Sequence, residues 1–160
     1  MIQNKNGISL DLYDIKILGI LQTNSKIAIK EIAHKISLSV TPTHERIKKL
    51  EKAGVIKAYV AILDAHVLRK GFIVFMHISI KEHSKGSRTL LIEKLLSIPQ
   101  VEELYHTSGV YDFSAKIRVR NVTEYSHFLT EEVSQIDNIK DLNSSIVLNV
   151  LKETTVIDPS

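Results

Sequence analysis

Ile29-Lys30-Glu31-Ile32-Ala33-His34-Lys35-Ile36-Ser37-Leu38-Ser39-Val40-Thr41-Pro42-Thr43-His44-Glu45-Arg46-Ile47-Lys48-Lys49-Leu50-Glu51-Lys52-Ala53-Gly54-Val55-Ile56 is the stretch that decides how this chain folds. Ile29, Ile32, Ala33 and Ile36 recur at helical spacing and form the apolar stripe of a helix about two turns long. Leu38 and Val40 bridge to a second stripe, Ile47, Leu50 and Ala53, inside a helix expected over Pro42 to Ala53. Thr41 suits the cap of that helix, Pro42 fits a first turn that needs no donor, and Glu45 lies near the positive helix end. Gly54 supplies a left-handed stop. The pattern is a helix-turn-helix. It leaves Thr43, His44, Arg46, Lys49 and Lys52 on or near the other faces, and the first turn of such a helix is where base edges are met.

Upstream, Asp11 is placed to cap a helix carrying Leu12, Ile15, Leu18 and Leu21 and ending near Thr23-Asn24. This is the third helix that a helix-turn-helix needs to close its core. Downstream, Val55 to Leu63 is β-rich, with Tyr59, Ala61 and Leu63 alternating against Ala58, Val60 and Ile62. It reads either as a wing or as a strand leading out of the domain. Asp64-Ala65-His66 to Arg69-Lys70-Gly71 follows as a polar hinge.

Charge agrees with this division. Residues 1 to 64 carry 10 Lys/Arg against 6 Asp/Glu, and residues 65 to 160 carry 11 against 12. The net +3 therefore sits in the first part, either as a solvated basic helix face or as a footprint for phosphates; the turn chemistry favours the second. A chain of 160 residues that is 44% hydrophobic can bury one ordinary core or two small ones. The absence of cysteine excludes disulfides, thiol catalysis and thiolate metal sites. No apolar run approaches the roughly 18 residues of a membrane span, and Met1-Ile2-Gln3-Asn4-Lys5-Asn6-Gly7 has no signal-like apolar core. A soluble, cytoplasmic protein without membrane attachment is expected.

Past the hinge the periodicity changes. Phe72 to Ile80 reads as a strand, Ser87 to Ile98 as a helix stopped by Pro99, and Val101 to Thr107 and Phe113 to Val119 as strands joined by Ser108-Gly109-Val110-Tyr111-Asp112. Val122 to Val133 reads as a helix and Ile139 to Val150 as a last strand. The order βαββαβ is the ferredoxin-like sandwich, one sheet with both helices on one face. Ile146 to Leu151 is apolar on both sides of that last strand, which implies a partner for the open face. The fold class is thus α+β: an N-terminal winged helix-turn-helix followed by a ferredoxin-like C-terminal domain. The expected division is residues 1–56 for DNA binding, 57–71 for linker strand and hinge, and 72–160 for effector binding and oligomerisation.

The two halves together resemble the Lrp/AsnC (leucine-responsive/asparagine-type) transcriptional regulators over residues 9 to 153. The matching segments are Leu10-Asp11-Leu12-Tyr13-Asp14-Ile15-Lys16-Ile17-Leu18, Leu38-Ser39-Val40-Thr41-Pro42, Glu45 through Ile56, and Ser108-Gly109-Val110-Tyr111-Asp112. The resemblance implies a swapped or paired linker strand, a C-terminal amino-acid-sensing domain that dimerises through its sheet, and assembly into octamers. It also implies an amino-acid effector bound between dimers, against Ser108, Gly109, Val110, Tyr111 and Asp112 and beside Leu142 and Ser144. Two departures bear on the ligand. Val110 replaces the first Asp of the family's Gly-Asp-aromatic-Asp loop, and Leu142 and Ser144 stand where the family carries two Thr.

The function read from these features is a sequence-specific DNA-binding regulator modulated by an amino acid. The alternative is an amino-acid sensor or metabolic regulatory protein of the same C-terminal fold that does not bind DNA. Candidate DNA contacts are Ser39, Thr41, Thr43, His44, Arg46 and Lys49, on double-stranded operator DNA. Asp112 and the backbone around Gly109 offer an acceptor for an ammonium and donors for a carboxylate, or Asp112 braces the turn. Tyr105 and Tyr111 line a ligand pocket or seal an interface. His77, His83 and His106 read as surface or interface residues rather than metal ligands. His106, Ser108 and Asp112 lack nucleophile-elbow spacing, so no catalytic site, metal or cofactor is expected.

Overall fold

The computed structural model describes residues 2–3 and 9–159. The reading of Met1 to Gly7 falls almost wholly outside them. Strand β1 (Ile2–Gln3) pairs antiparallel with β2 (Ser9–Leu10), and three helices follow: α1 (Leu12–Thr23), α2 (Ile29–Ile36) and α3 (Val40–Lys52). Asp11 caps α1 through bonds from the N–H groups of Tyr13 and Asp14, while Asp14 answers by accepting from the Asp11 N–H. This closed capping box satisfies the orphan donors of the first turn. Helix α2 ends at Ser37, whose φ of 58° places a serine in the left-handed region. That conformation ordinarily favours glycine, and here it folds the chain tightly enough for Leu38 N–H to reach the Ala33 carbonyl.

Helix α3 begins two residues earlier than the apolar spacing indicates. Ser39 is its cap position and Thr41 lies inside the first turn, so Thr41 is not the cap. The early start is compatible with Pro42 because the first-turn N–H groups have no intrahelical acceptor, so a missing donor costs nothing there. Gly54, at φ 69°, ends the helix as expected, with Val55 and Ile56 N–H both reaching back to the Leu50 carbonyl. Ile17, Leu18, Ile32, Ile36, Ile47 and Leu50 form the core of this unit, each worth about 1.5–3 kcal/mol when fully buried.

Residues 57–64 carry no regular secondary structure, and Tyr59, Val60, Ile62 and Leu63 are exposed. The alternation there is a strand pattern without a partner strand among the described residues. Without one, a segment's N–H and C=O groups have no ladder to join.

The second unit contains β3 (Phe72–Ile80), α4 (Lys85–Ser97), β4 (Val101–His106), β5 (Phe113–Val119), α5 (Val122–His127) and β6 (Ile139–Ile146). The antiparallel sheet runs β4-β5-β3-β6. Helix α4 starts at Lys85, two residues before the expected Ser87, and Ser84 caps it by accepting from the Ser87 N–H. The second helix is broken: α5 passes at Phe128 into a π turn and then a 3-10 turn ending at Gln135, each segment still burying one apolar residue, Tyr125, Phe128 and Val133. Val74, Met76, Ile78 and Ile80 of β3 alternate onto the helix-covered face with Phe113, Ala115, Ile117 and Val119 of β5.

Two expectations are corrected here. Strand β6 stops at Ile146, and Leu148 to Leu151 extend beyond the sheet, exposed. The opposite face of the sheet is mixed rather than apolar: His77 pairs with Ser114 and Asn143 in register, and Phe75 with Lys116 and Ser145. Lys116 contacts Glu102 at 3.1 Å and Glu103 at 3.4 Å, and Arg118 bonds Glu102 at 3.0 Å.

The chain divides into Met1–Ile62 with Lys152–Ser160, and Leu63–Leu151.

Candidate nucleic-acid interface and effector loop

The exposed side of α3 is built from its amphipathic register. Thr43, Ile47 and Leu50 turn inward, which leaves Thr41, His44, Glu45, Lys48, Lys49 and Lys52 in solvent, with Ser39 and Val40 exposed at the helix entrance. Ser39 makes no side-chain cap bond, and its main-chain carbonyl accepts from Thr43 N–H and, at 2.9 Å, from Thr43 Oγ1. Of the six residues named from the sequence, Ser39, Thr41, His44 and Lys49 therefore share one accessible surface. Thr43 does not. It is 0% exposed, and its hydroxyl is turned back on the helix by that bond to Ser39.

Arg46 is also elsewhere. Its Nη1 donates to Asp11 Oδ2 and to Asp14 Oδ1, both at 2.7 Å, and the guanidinium lies 5.3 Å from the centre of the Tyr13 ring. The Asp14 side chain is 2% exposed, so the pair is largely desolvated and its geometry is held by charge-assisted bonds. Hydrogen bonding to Asp14 and Asp11 pushes the Arg46 guanidinium still further above its ordinary range. Burial alone would raise the Asp11 carboxyl, but bonds from the Asp14 N–H, Arg46 and the Tyr13 N–H outweigh it and hold that carboxyl below the usual aspartate value. Arg46 thus fastens α3 to the first turn of α1. Sequence reading placed it among the basic side chains of an exposed face; the signal for its real partners was the Asp11-x-x-Asp14 spacing of the capping box.

Behind α3, an open cavity of about 200 Å³ is lined by Ile27, Ile29, Ile32, His44, Ile47 and Tyr59 among others. Tyr59 closes one side by donating to Glu51 Oε1 at 2.8 Å, and burial and that carboxylate push its phenol up to about 12.

In the second unit, the loop from Ser108 to Asp112 enters β5 beside β3. Asp112 N–H donates to the Ile78 carbonyl, Thr107 N–H donates to the Asp112 carbonyl, and Thr107 Oγ1 donates to the Tyr111 carbonyl. Asp112 Oδ2 accepts from the Ile80 N–H at 2.9 Å, and Oδ1 faces His83 Nδ1 at 3.6 Å. One carboxylate oxygen therefore braces the loop on β3 while the other points to a 70% exposed imidazole. Ser108, Gly109 and Val110 are exposed. Gly109 does not adopt a left-handed conformation, and a Cβ there would meet nothing within 4 Å, so no backbone demand for glycine exists in this chain.

Tyr111 stacks on His77 at 5.4 Å, His77 Nδ1 lies 3.2 Å from Ser114 Oγ, and His106 packs on Phe113 at 5.1 Å. The three histidines are taken up by different neighbours. Leu142 pairs in register with Ile78, so it and Asp112 flank β3 from opposite sides. Ser144 lies two residues further along, and its hydroxyl is 2.6 Å from the Tyr125 hydroxyl under the helices. Burial raises the Tyr125 phenol, and the Ser144 bond opposes that. The structure thus gathers Ser108 to Asp112 and Leu142 at one end of the sheet, while Ser144, itself exposed, bonds the buried Tyr125 hydroxyl.

A three-helix unit with an exposed basic third helix, joined to a βαββαβ unit with a braced polar loop, defines a helix-turn-helix regulator carrying a ligand-binding domain. Residues 10–57 match the family described as winged helix-turn-helix DNA-binding, and residues 73–157 match the Lrp/AsnC ligand binding domain. The chain belongs to the Lrp/AsnC family of transcriptional regulators. It is 37% identical to the HTH-type transcriptional regulator FL11 of Pyrococcus furiosus, covering 91% of this chain and 94% of that one. It is 30% identical to the leucine-responsive regulatory protein of Haemophilus influenzae, over 97% and 93% of the two chains. Among solved structures it is similar to an AsnC family transcriptional regulator from Agrobacterium tumefaciens (TM-score 0.90, 34% identity, 92% of this chain and 96% of that one). It is also similar to a transcriptional regulator from Neisseria meningitidis in complex with L-Met (TM-score 0.88, 30% identity, 93% and 96%). No helix among the described residues is long and apolar enough to cross a membrane.

Proposed function

We propose that this regulator reads operator DNA through the first turn of α3, with Ser39, Thr41 and His44 toward base edges and Lys49 toward phosphate. The observation that carries this reading is the segregation on α3: its buried stripe and the Arg46 clamp hold the helix from behind, and the exposed side carries Thr41, His44, Lys48, Lys49 and Lys52 against Glu45 and Glu51. A helix held in that way presents its front at a fixed angle, which recognition in the major groove requires. Arg46 is removed from the set of base contacts, and Thr43 acts only by shaping the helix entrance. The protein is not an enzyme on this reading, and it works in the cytoplasm.

The working form is a homodimer, with an octamer as the larger assembly. Exposed Tyr59, Val60, Ile62 and Leu63 supply a strand pattern that a second copy would complete, and two-fold pairing places two α3 helices on successive half-sites. The effector is a neutral amino acid. Val110 leaves Asp112 as the only acid of the loop, and Asp112 Oδ1 is the oxygen left for an ammonium once Oδ2 has accepted from Ile80. The L-Met complex of the Neisseria relative supports this ligand class.

Selection of binding sites from a random DNA pool, followed by gel shift, tests the DNA reading; enrichment of no sequence overturns it. Thermal shift with each of the twenty amino acids, beginning with L-methionine, tests the effector. Stabilisation by one or more neutral amino acids is expected, and stabilisation by none, with the oligomer intact, rejects it.

A further inference from the structure

The segment after β6 is fastened to the DNA-binding unit by a specific contact. Gln22 Nε2 donates to the Ile157 carbonyl at 2.9 Å, and Ile157 N–H donates to Gln22 Oε1 at 2.7 Å. One side-chain amide satisfies both main-chain groups of one residue, as a neighbouring strand would. Residues 152–159 contain no helix or strand, and a local bond from Val156 N–H to Thr154 Oγ1 at 3.1 Å shapes the approach to Ile157. Gln22 lies in the last turn of α1, and the first turn of the same helix holds Arg46 of α3. Helix α1 is thus gripped at one end by the tail and at the other by the recognition helix.

We propose that residues 152–159 are a strap: a second covalent tether through which the sheet unit restrains the DNA-binding unit. The chain passes between its two compact units twice, at Ile62–Leu63 and again at Leu151–Lys152. A unit joined by one exposed linker reorients freely by default, whereas a second attachment removes much of that freedom. The second crossing is also the direct continuation of β6, the strand that carries Leu142. Displacement of β6 is therefore passed along the strap to α1, and by Arg46 to α3, without acting through the linker.

The test uses the full-length oligomer. Amide hydrogen exchange should show Ile157 protected in the parent protein and exchanging about tenfold faster or more in Gln22→Ala, with β5 amides unchanged. A chain stopped after Leu151 should keep its oligomeric state by light scattering. It should lose several-fold of the parent's preference for the selected half-site spacing over one lengthened by about half a helical turn. Equal Ile157 exchange in parent and Gln22→Ala overturns the strap, as does undiminished spacing preference in the shortened chain. The spacing experiment rests on the DNA reading above; if the parent selects no DNA, that reading fails and the exchange measurement alone decides the strap.

Discussion

The turn into α3 and the loop into β5 are both short polar connections that carry candidate ligand residues, and they are organised in opposite ways. At the first, Ser39 makes no cap bond, and Thr41, His44 and Lys49 stand in solvent, while the helix is immobilised from behind by Arg46. At the second, the acidic residue proposed to meet the effector is itself part of the brace, because Asp112 holds the Ile80 N–H. A reader of DNA keeps its contacts free on a rigid support. A sensor loop gains by sharing a group between support and ligand, since binding then alters the support.

The largest effect that sharpens this contrast is at Arg46. Arg46→Ala strands the buried Asp14 carboxylate and should destabilise the protein by about 3 kcal/mol, seen as a lower urea midpoint. If stability is unchanged and only DNA affinity falls, Arg46 belongs to the interface and the contrast breaks. Next comes Asp112. Asp112→Ala should cost about 1–2 kcal/mol through the orphaned Ile80 N–H, and Asp112→Asn, which keeps an acceptor, should recover most of that stability yet still bind the effector poorly. Equal ligand-induced thermal shifts in the parent and Asp112→Asn would leave Asp112 a brace alone.

A smaller effect is set by pH. The Asp11 carboxyl is held below its ordinary value of 3.8, so its contribution is present above that value and fades as the pH falls through the depressed folded-state one. The stability difference between the parent and Asp11→Asn should therefore be full at pH 7 and shrink below about pH 4; a constant difference across that range would show that the charge contributes nothing. The smallest effect is a gain. Ser37→Gly relieves the left-handed serine ending α2 and should stabilise by about 0.5–1 kcal/mol, read as a higher melting temperature.

The sequence disclosed most of the architecture because its periodicities are strong. The α2 and α3 stripes, Asp11 as a cap, Gly54 as a stop and the alternation of β3 and β5 each follow from local rules, and the structure places them where those rules put them. What was hidden depended on distance along the chain. The bonds from Arg46 to Asp11 and Asp14 span 35 and 32 residues and that from Gln22 to Ile157 spans 135, so no window of periodicity contains both partners. The break in the second helix of the sheet unit was hidden for a different reason: a π turn shifts the register by one residue while the apolar side chains still reach the core, and the pattern looks unbroken. Likewise the apolar run after Ile146 suggested more strand than the sheet can pair.

The central claim is that α3 offers Lys49 to phosphate while Arg46 serves the fold. Its most direct test is the salt dependence of binding to the selected operator for the parent and Lys49→Ala, whose stabilities should agree within about 0.5 kcal/mol. The account predicts weaker binding by Lys49→Ala and a log–log slope shallower by about one. An unchanged slope and affinity would contradict it.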